Sequence, residues 1–369
     1  MEATAYDLPA ICRQFQMTGT VAGAEPYGSG HINATYLVRT KESDAYDYIL
    51  QRVNHNVFKN VPNLMDNILR VTTHVRGKLA KIPGANPDRE TLTVIPAKTG
   101  KPYHQETDGT FWRMYIFVEN TKSYDIVDSP TKAFEGGRMF GRFQKMLFDL
   151  PGGPLHETIP EFHNIAMRLE RFRETLARDP KQRAASVRNE ISFVEKRAEE
   201  MQTILRLGRD GKIPLRVTHN DTKFNNVLLD ANDKGLCVID LDTVMPGYVH
   251  FDFGDSLRTV TNTAAEDEKD TSKVSMNIDL FEGYAKGYLS EAKDFLTPVE
   301  VDNLALAARV MTFIIGLSFL TDYIDGDNYF KIIFPEHNIQ RTRAQFKLLS
   351  SMEEQYDEMR KIVAANTKR

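Results

Sequence analysis

Two polar clusters joined by a short hydrophobic ribbon constrain this chain more than any other feature. The first is His219-Asn220-Asp221-Thr222-Lys223-Phe224-Asn225-Asn226; the second is Ile239-Asp240-Leu241-Asp242. Between them Val227 to Leu229 and Leu236 to Leu241 are β-branched or aliphatic runs, and residues 230–235 are rich in turn formers. The pattern predicts a β-hairpin. With its turn centred on Asp233, Asn226 and Asp240 fall opposite each other, and such cross-strand partners have Cβ atoms about 4.5–5.5 Å apart on one face. Two oxygen ligands so placed suit a hard cation that keeps part of its water shell, as Mg²⁺ does. Asp221 lies in the bend just ahead, where a carboxylate reaches past the ion to a substrate oxygen. Asp, Asn and Asp in this order are what ATP-dependent kinases use: one Asp for the attacking hydroxyl, the Asn and second Asp for Mg²⁺ beneath the phosphates. An ordinary polar loop would account for His-x-Asp alone. The whole constellation, followed by a hairpin and an aliphatic-Asp, favours the kinase reading.

The segments on either side differ in period. Leu8 to Phe15 reads as a short helix. Gly28-Ser29-Gly30 leads into a strand that runs to Val38, and Tyr48 to Val53 is a second strand. Val61 to Ala80 is helical, with Leu64, Ile68, Val71 and Val75 on one face; Leu92 to Pro96 and Phe111 to Val118 are further strands. From Thr131 onward the pattern is helical, with stripes through Phe140, Phe143 and Leu147 and through Val187 to Leu205. Helices resume at Ile278 to Leu289, Val301 to Tyr323 and Ile339 to Ile362. The expected fold is α+β and two-lobed: a mostly antiparallel sheet region over 1–119 and a helix-rich region over 120–369. The chemistry falls near their junction, where a cleft would hold a nucleotide.

Charge and composition narrow the partners. A net charge of −4 and a pI near 6.2, with no basic tract, argue against nucleic acid, since phosphate-backbone binding needs a basic face. Cys12 and Cys237 are the only cysteines, so no disulfide framework is expected, and Cys237 reads as a core residue. The first residues carry no basic or apolar leader pattern. The longest apolar stretch, Leu304 to Leu320, contains Arg309, Thr312 and Ser318, which suits a buried helix better than a membrane span. A reducing cytoplasm is the expected compartment.

Gly28, Ser29 and Gly30 are the candidate phosphate loop, because glycine lets backbone N–H groups approach phosphates. A plain hairpin turn is the alternative. His31 and Asn33 would add side-chain donors there or simply cap the turn. No Gly-x₄-Gly-Lys-Ser/Thr is present, so this is not a P-loop protein. Two-lobe kinases usually place a Lys on the strand Tyr48 to Val53 to hold the α- and β-phosphates. Here that strand carries Gln51 and Arg52, which face opposite sides. The sequence leaves open which of the two faces the cleft.

Five segments carry a family resemblance: Glu25 to Asn33, Arg216 to Lys223, Ile239 to Gly247, Phe251-Asp252-Phe253-Gly254-Asp255-Ser256, and Phe334-Pro335-Glu336-His337-Asn338. Over nearly its whole length the chain resembles the aminoglycoside phosphotransferase/choline kinase-like superfamily, and within it the bacterial N-acetylhexosamine 1-kinases. The resemblance implies a protein-kinase-like fold, ATP and Mg²⁺ as cofactors, and phosphoryl transfer to the anomeric hydroxyl of an N-acetylhexosamine. By it, Asp221 is the catalytic Asp, Asn226 and Asp240 hold Mg²⁺, and Asp252 braces the catalytic loop. Phe117 to Glu119 becomes the hinge that pairs with adenine through backbone groups. Two positions depart from it: Ser318 stands where those sugar kinases carry Arg, and Thr259 where they carry Phe; Tyr329 is retained.

Asp255, Arg258 and Tyr329 are the candidates for sugar contact. Their structural alternatives are a helix cap for Asp255, a carboxylate partner for Arg258 and a core position for Tyr329. Two competing functions stay open. One is a kinase for an amino alcohol or aminoglycoside, for which Asp322, Asp325 and Asp327 would supply acids. The other is a nucleotide-binding scaffold without turnover, suggested by the missing strand lysine and opposed by the presence of Asp221, Asn226 and Asp240 together.

Overall fold

The structure is a computed structural model and describes residues 6–28 and 32–367. Helix α1 (Leu8–Cys12) precedes β1 (Val21–Pro26), β2 (Ala34–Thr40), β3 (Tyr48–Val53), α2 (Val61–Leu79), β4 (Val94–Ile95), β5 (His104–Gln105) and β6 (Phe111–Ile116). These strands form one antiparallel sheet in the order β1-β2-β3-β6-β4, with β5 also on β6. Strand β1 is an element that the sequence reading passed over: its residues Val-Ala-Gly-Ala-Glu-Pro lack β-branched content after the first position. The sheet is covered on both faces. Val38, Tyr48, Leu50, Trp112 and Met114 pack with Ile11, Cys12 and Phe15; Val53 and Tyr115 join the opposite core with Leu64, Ile68, Val71 and Val75 of α2. Helix α2 starts where Asn60 accepts from the Asn63 N–H at 3.0 Å.

The remainder is helical around two small β ladders. Helices α3 (Pro130–Leu147), α4 (Ile165–Arg178) and α5 (Arg188–Met201) come first. Then come β7 (Arg216–Thr218), β8 (Val227–Leu229), β9 (Gly235–Val238) and β10 (Met245–Gly247), followed by α6 (Val249–Val260), α7 (Ile278–Ala292), α8 (Leu304–Asp325), α9 (His337–Glu354) and α10 (Tyr356–Thr367). Helices α3 and α7 cross at glycines. A Cβ on Gly137 would lie 2.1 Å from the Tyr284 carbonyl oxygen, and one on Gly287 would lie 1.9 Å from that of Phe134. Helix α8 is long and apolar enough to span a membrane, yet 89% of its apolar window is buried in the protein. It is a core helix, and its one guanidinium, Arg309, is itself buried and bonds Glu200 through two 2.8 Å contacts.

Strands β8 and β9 form the expected hairpin with a different register. Val227 pairs with Val238 and Leu228 with Cys237, and a bulge follows before Leu229 pairs with Gly235. Asn226 is consequently opposite Ile239, whose N–H donates to its carbonyl at 2.9 Å, and Asp240 lies one residue beyond. The expectation of Asn226 facing Asp240 is corrected by one position: the turn closes around Asn232 instead of Asp233, with the Asp230 N–H donating to the Lys234 carbonyl at 2.9 Å, and the bulge at Leu236 restores only one of the two positions this displaces. Asp240 still reaches the same place by another route. Its backbone is left-handed at φ 59°, which turns it out of the strand.

Candidate active site

The segment from His219 to Thr222 is suspended from α6. Asp252, fully buried, accepts from the His219 N–H at 2.9 Å and the Asn220 N–H at 2.7 Å. Gln144 of α3 donates to the same carboxylate at 2.6 Å and accepts from the Tyr288 hydroxyl of α7 at 2.6 Å. Thr222 donates its hydroxyl to the Asp252 carbonyl at 2.6 Å and its N–H to Asp255 at 3.0 Å; Ser256 closes the set by donating to the Thr222 carbonyl at 2.7 Å. From the hairpin side, His219 Nε2 lies 2.9 Å from the Ile239 carbonyl, and Thr243 donates to the His219 carbonyl at 2.7 Å. Asn220 is held at φ 66°, a conformation that Asn tolerates better than most residues, and its amide bonds the Thr243 carbonyl at 2.9 Å. His163 supports the same turn with Nε2 3.0 Å from the Asn220 carbonyl. Burial pushes its imidazole down to about 3, so it is neutral and Nε2–H donates.

This scaffold presents Asp221 beside Asn226. The Asn226 amide donates to the Asp221 carbonyl at 2.8 Å and lies 3.4 Å from its carboxylate. Burial opposes ionisation of Asp221, but Lys223, 3.2 Å away, and His219 outweigh it and hold the carboxyl below its ordinary range. Asp240 behaves oppositely. The residue is exposed, yet partial desolvation by the surrounding protein and then the neighbouring Asp242 and Asp221 push it up to about 6, despite Arg113 and His219. Asp240 thus feels the charge of both Asp242 and Asp221 at a spot that is open to solvent on the Asp240 side, where a cation would relieve the repulsion. Asn226 and Asp240 provide the oxygen donors that a hard divalent ion takes, and a two-ligand site is completed by phosphate and water.

The opposite wall comes from the sheet. Gln51, not Arg52, faces the cleft. Arg52 points to the other side, where it bonds the Tyr6 hydroxyl and lies 5.3 Å from the centre of that ring. Directly across from Gln51 on β6 stands Arg113, whose Nε donates to Gln51 Oε1 at 2.9 Å. Its Nη1 makes an ion pair with Asp242. Burial alone would lower this guanidinium, but Asp242 foremost holds it above its ordinary value. The second Asp242 oxygen accepts from the Asn33 amide at 2.6 Å, and Asn33 in turn accepts from the Asn54 N–H at 2.9 Å. Gly28 has φ 78°, the left-handed turn expected of glycine; Ser29, Gly30 and His31 lie outside the described residues. After β6, the Phe117 ring meets Tyr27 edge-on at 5.6 Å, which brings the end of β1 against this segment, and the Glu119 carbonyl accepts from Arg89 at 2.9 Å.

Arg113, Asp242 and Lys223 were not singled out from sequence. Lys223 stands two residues after Asp221 inside the motif and was the one most accessible to inspection. The acceptor candidates are distributed unevenly. Asp255 and Arg258 are buried on α6; Asp255 accepts from Arg258 at 3.2 and 3.3 Å, and Arg258 also reaches Glu266 at 2.6 Å. Tyr329 is 70% exposed rather than core. Near it Arg168 of α4 donates to Ser318 Oγ at 2.8 Å and to the Phe162 carbonyl, and among the described residues it makes no ion pair with a carboxylate.

The comparisons bear on this arrangement. The profile of the phosphotransferase enzyme family (APH) matches residues 23–293, spanning the glycine turn, the suspended loop and the hairpin. The chain belongs to this family. An aminoglycoside phosphotransferase from Alicyclobacillus acidocaldarius superposes with a TM-score of 0.59 at 12% identity, covering 97% of this chain and 98% of the other. An amicoumacin kinase solved with AMP-PNP, Ca²⁺ and its antibiotic gives 0.59 at 13% identity, with 93% of each chain covered. A choline kinase from Cryptosporidium parvum gives 0.56 at 13% identity, with 97% and 98% covered. At such identities the likeness establishes the fold, which is protein-kinase-like. As an APH-family member the protein is a phosphotransferase for hydroxyl acceptors, not a scaffold.

Proposed function

We propose that this phosphotransferase transfers the γ-phosphoryl group of ATP to the anomeric hydroxyl of an N-acetylhexosamine, giving the sugar 1-phosphate. The observation that carries the reading is the convergence of Asp221, Asn226 and Asp240 at one spot, with the loop bearing Asp221 tied down by Asp252, Asp255 and Ser256. Asn226 and Asp240 would hold Mg²⁺, which when bound neutralises charge on the phosphates. Asp221, ionised beside Lys223, orients the acceptor hydroxyl and takes its proton late; an anomeric hydroxyl is acidic enough that positioning and charge neutralisation dominate. Adenine would pair with backbone groups of the Phe117 to Glu119 segment, at the boundary between lobes 1–119 and 120–369, while the turn at Gly28 to Asn33 covers the phosphates.

Two features support a neutral sugar over a cationic acceptor. The acids that an amine would need are already engaged. Asp322 accepts from three successive backbone N–H groups at Asn328, Tyr329 and Phe330 and from Asn338. Asp327 pairs with Arg183, and Asp325 meets Arg178. Arg168, without an acidic partner among the described residues, repels an ammonium and suits an acyl or hydroxyl oxygen; it reaches Ser318, the position where the resemblance places an Arg. Incubation with ATP, Mg²⁺ and mixed hexoses and amino alcohols, with the product's phosphorylated carbon identified by NMR, tests the reading. Phosphate on C1 of an N-acetylhexosamine is expected; exclusive phosphorylation of an amino alcohol would overturn the acceptor assignment.

A further inference from the structure

The sheet strands carry three basic side chains, Arg39, Arg52 and Arg113. Arg39 is half exposed and pairs with Asp47 at 2.6 Å on the outer end of β2. Arg52 is turned away toward Tyr6. Arg113 alone of the three points toward Asp242 of the opposite wall, buried side by side with the neutral Gln51, on whose strand two-lobe kinases keep a lysine.

Its surroundings are costly by any structural measure. Arg113 is 1% exposed and Asp242 is 3% exposed. A buried ion pair seldom stabilises a fold more than apolar residues of the same volume would, so packing alone gives little reason for it. The arrangement does aim the charge. Gln51 accepts from Nε and is itself fixed by donating to Thr35 Oγ1 at 2.9 Å. Asp242 takes Nη1 with one oxygen and Asn33, at the end of the glycine turn, with the other. Nη2 makes no hydrogen bond among the described residues. The guanidinium therefore sits near both Asn33 and Asp240, with Nη2 unengaged among the described residues.

We infer that Arg113 is the cation that engages the nucleotide phosphates in this protein, with Gln51 and Asp242 as the residues that position it. The inference rests on the nucleotide-binding reading above. A planar guanidinium offers paired N–H donors to phosphate oxygens, where a lysine offers a point charge. Moving the charge from β3 to its cross-strand neighbour keeps it on the same face of the sheet.

The test is calorimetric titration of the full chain with adenosine and with ADP plus Mg²⁺. The wild type should bind ADP more tightly than adenosine. Arg113→Met should lose roughly tenfold or more of the ADP affinity, with adenosine affinity changed less than about twofold. Arg113→Lys should recover part of the loss, and Gln51→Lys combined with Arg113→Met should recover more by returning the charge to β3. Should Arg113→Met fail to fold, Arg113→Met with Asp242→Leu removes the charge together with its partner and is read the same way. An unchanged ADP-to-adenosine ratio in these variants, or an equal loss for both ligands, would overturn the inference. A wild type that binds ADP no better than adenosine would instead sink the nucleotide reading beneath it.

Discussion

The two walls of the cleft are held in place by different means. The wall bearing Asp221 is organised from within its own region: α6, α3 and the hairpin saturate the backbone of residues 218–222 with buried hydrogen bonds. Among the described residues the sheet wall has no comparable set. Its buried guanidinium, Arg113, is held by a neighbouring Gln and by Asp242, which belongs to the opposite wall. Preorganisation is thus built into one side and lent to the other. A site of this kind can keep its reacting groups rigid while its nucleotide-facing side responds to what enters.

The largest effect that would sharpen this contrast is on turnover. Asp221→Asn should lower kcat by about 10²–10⁴-fold while ADP affinity, measured by calorimetry, stays near wild type. Near-normal turnover would refute the role given to Asp221. Next, Asp252→Ala removes the acceptor for the His219 and Asn220 N–H groups and for Gln144, and should cost about 3 kcal/mol or more in chemical denaturation, since buried donors are left unpaired. A loss well under 1 kcal/mol would break the claim that this wall is internally fixed.

A smaller effect concerns pH. Burial pushes His250 down to about 4, with its Nε2–H donating to the Glu300 carbonyl at 2.9 Å. Its folded value lies below the unfolded one of about 6.5, so the unfolded chain takes the proton first and stability falls as pH drops through that window. The loss between pH 6.5 and 5 should be on the order of 2 kcal/mol for this group. His250→Gln should shrink the difference between denaturation midpoints at pH 7 and pH 5; an unchanged difference would contradict it. The smallest effect belongs to the sheet wall. Asn33→Ala breaks one arm of the Asp242 clasp and should raise KM for ATP roughly three- to tenfold, about 1 kcal/mol, with kcat little changed. A kcat loss matching that of Asp221→Asn would erase the distinction between the walls.

What was legible in the sequence follows from the range of the interactions involved. The hairpin, α2 and the buried character of α8 follow from local periodicity, and the residues proposed to react lie within two short neighbouring motifs. The register of the hairpin was missed because a run of turn formers does not mark which residue the turn closes on, and the bulge beside it restores only part of the difference. The facing of Gln51 needed the phase of β3, which its alternating pattern does not set when both faces of a sheet are covered. Arg113 was invisible for a related reason: it is adjacent to Gln51 only through strand pairing, across a loop, a helix and two short strands. The engagement of Asp322 and Asp327 by backbone and Arg183 likewise depends on folding.

The glycine-on-carbonyl crossing of α3 and α7 bears on the chemistry from a distance. Gln144 and Tyr288, the pair that steadies Asp252, ride on these two helices, so the gap between the backbones sets the height at which the reacting loop hangs. Inserting one methyl group at Gly137 or Gly287, where the two helix backbones meet, would lift that suspension and lower turnover without altering Asp221, Asn226 or Asp240.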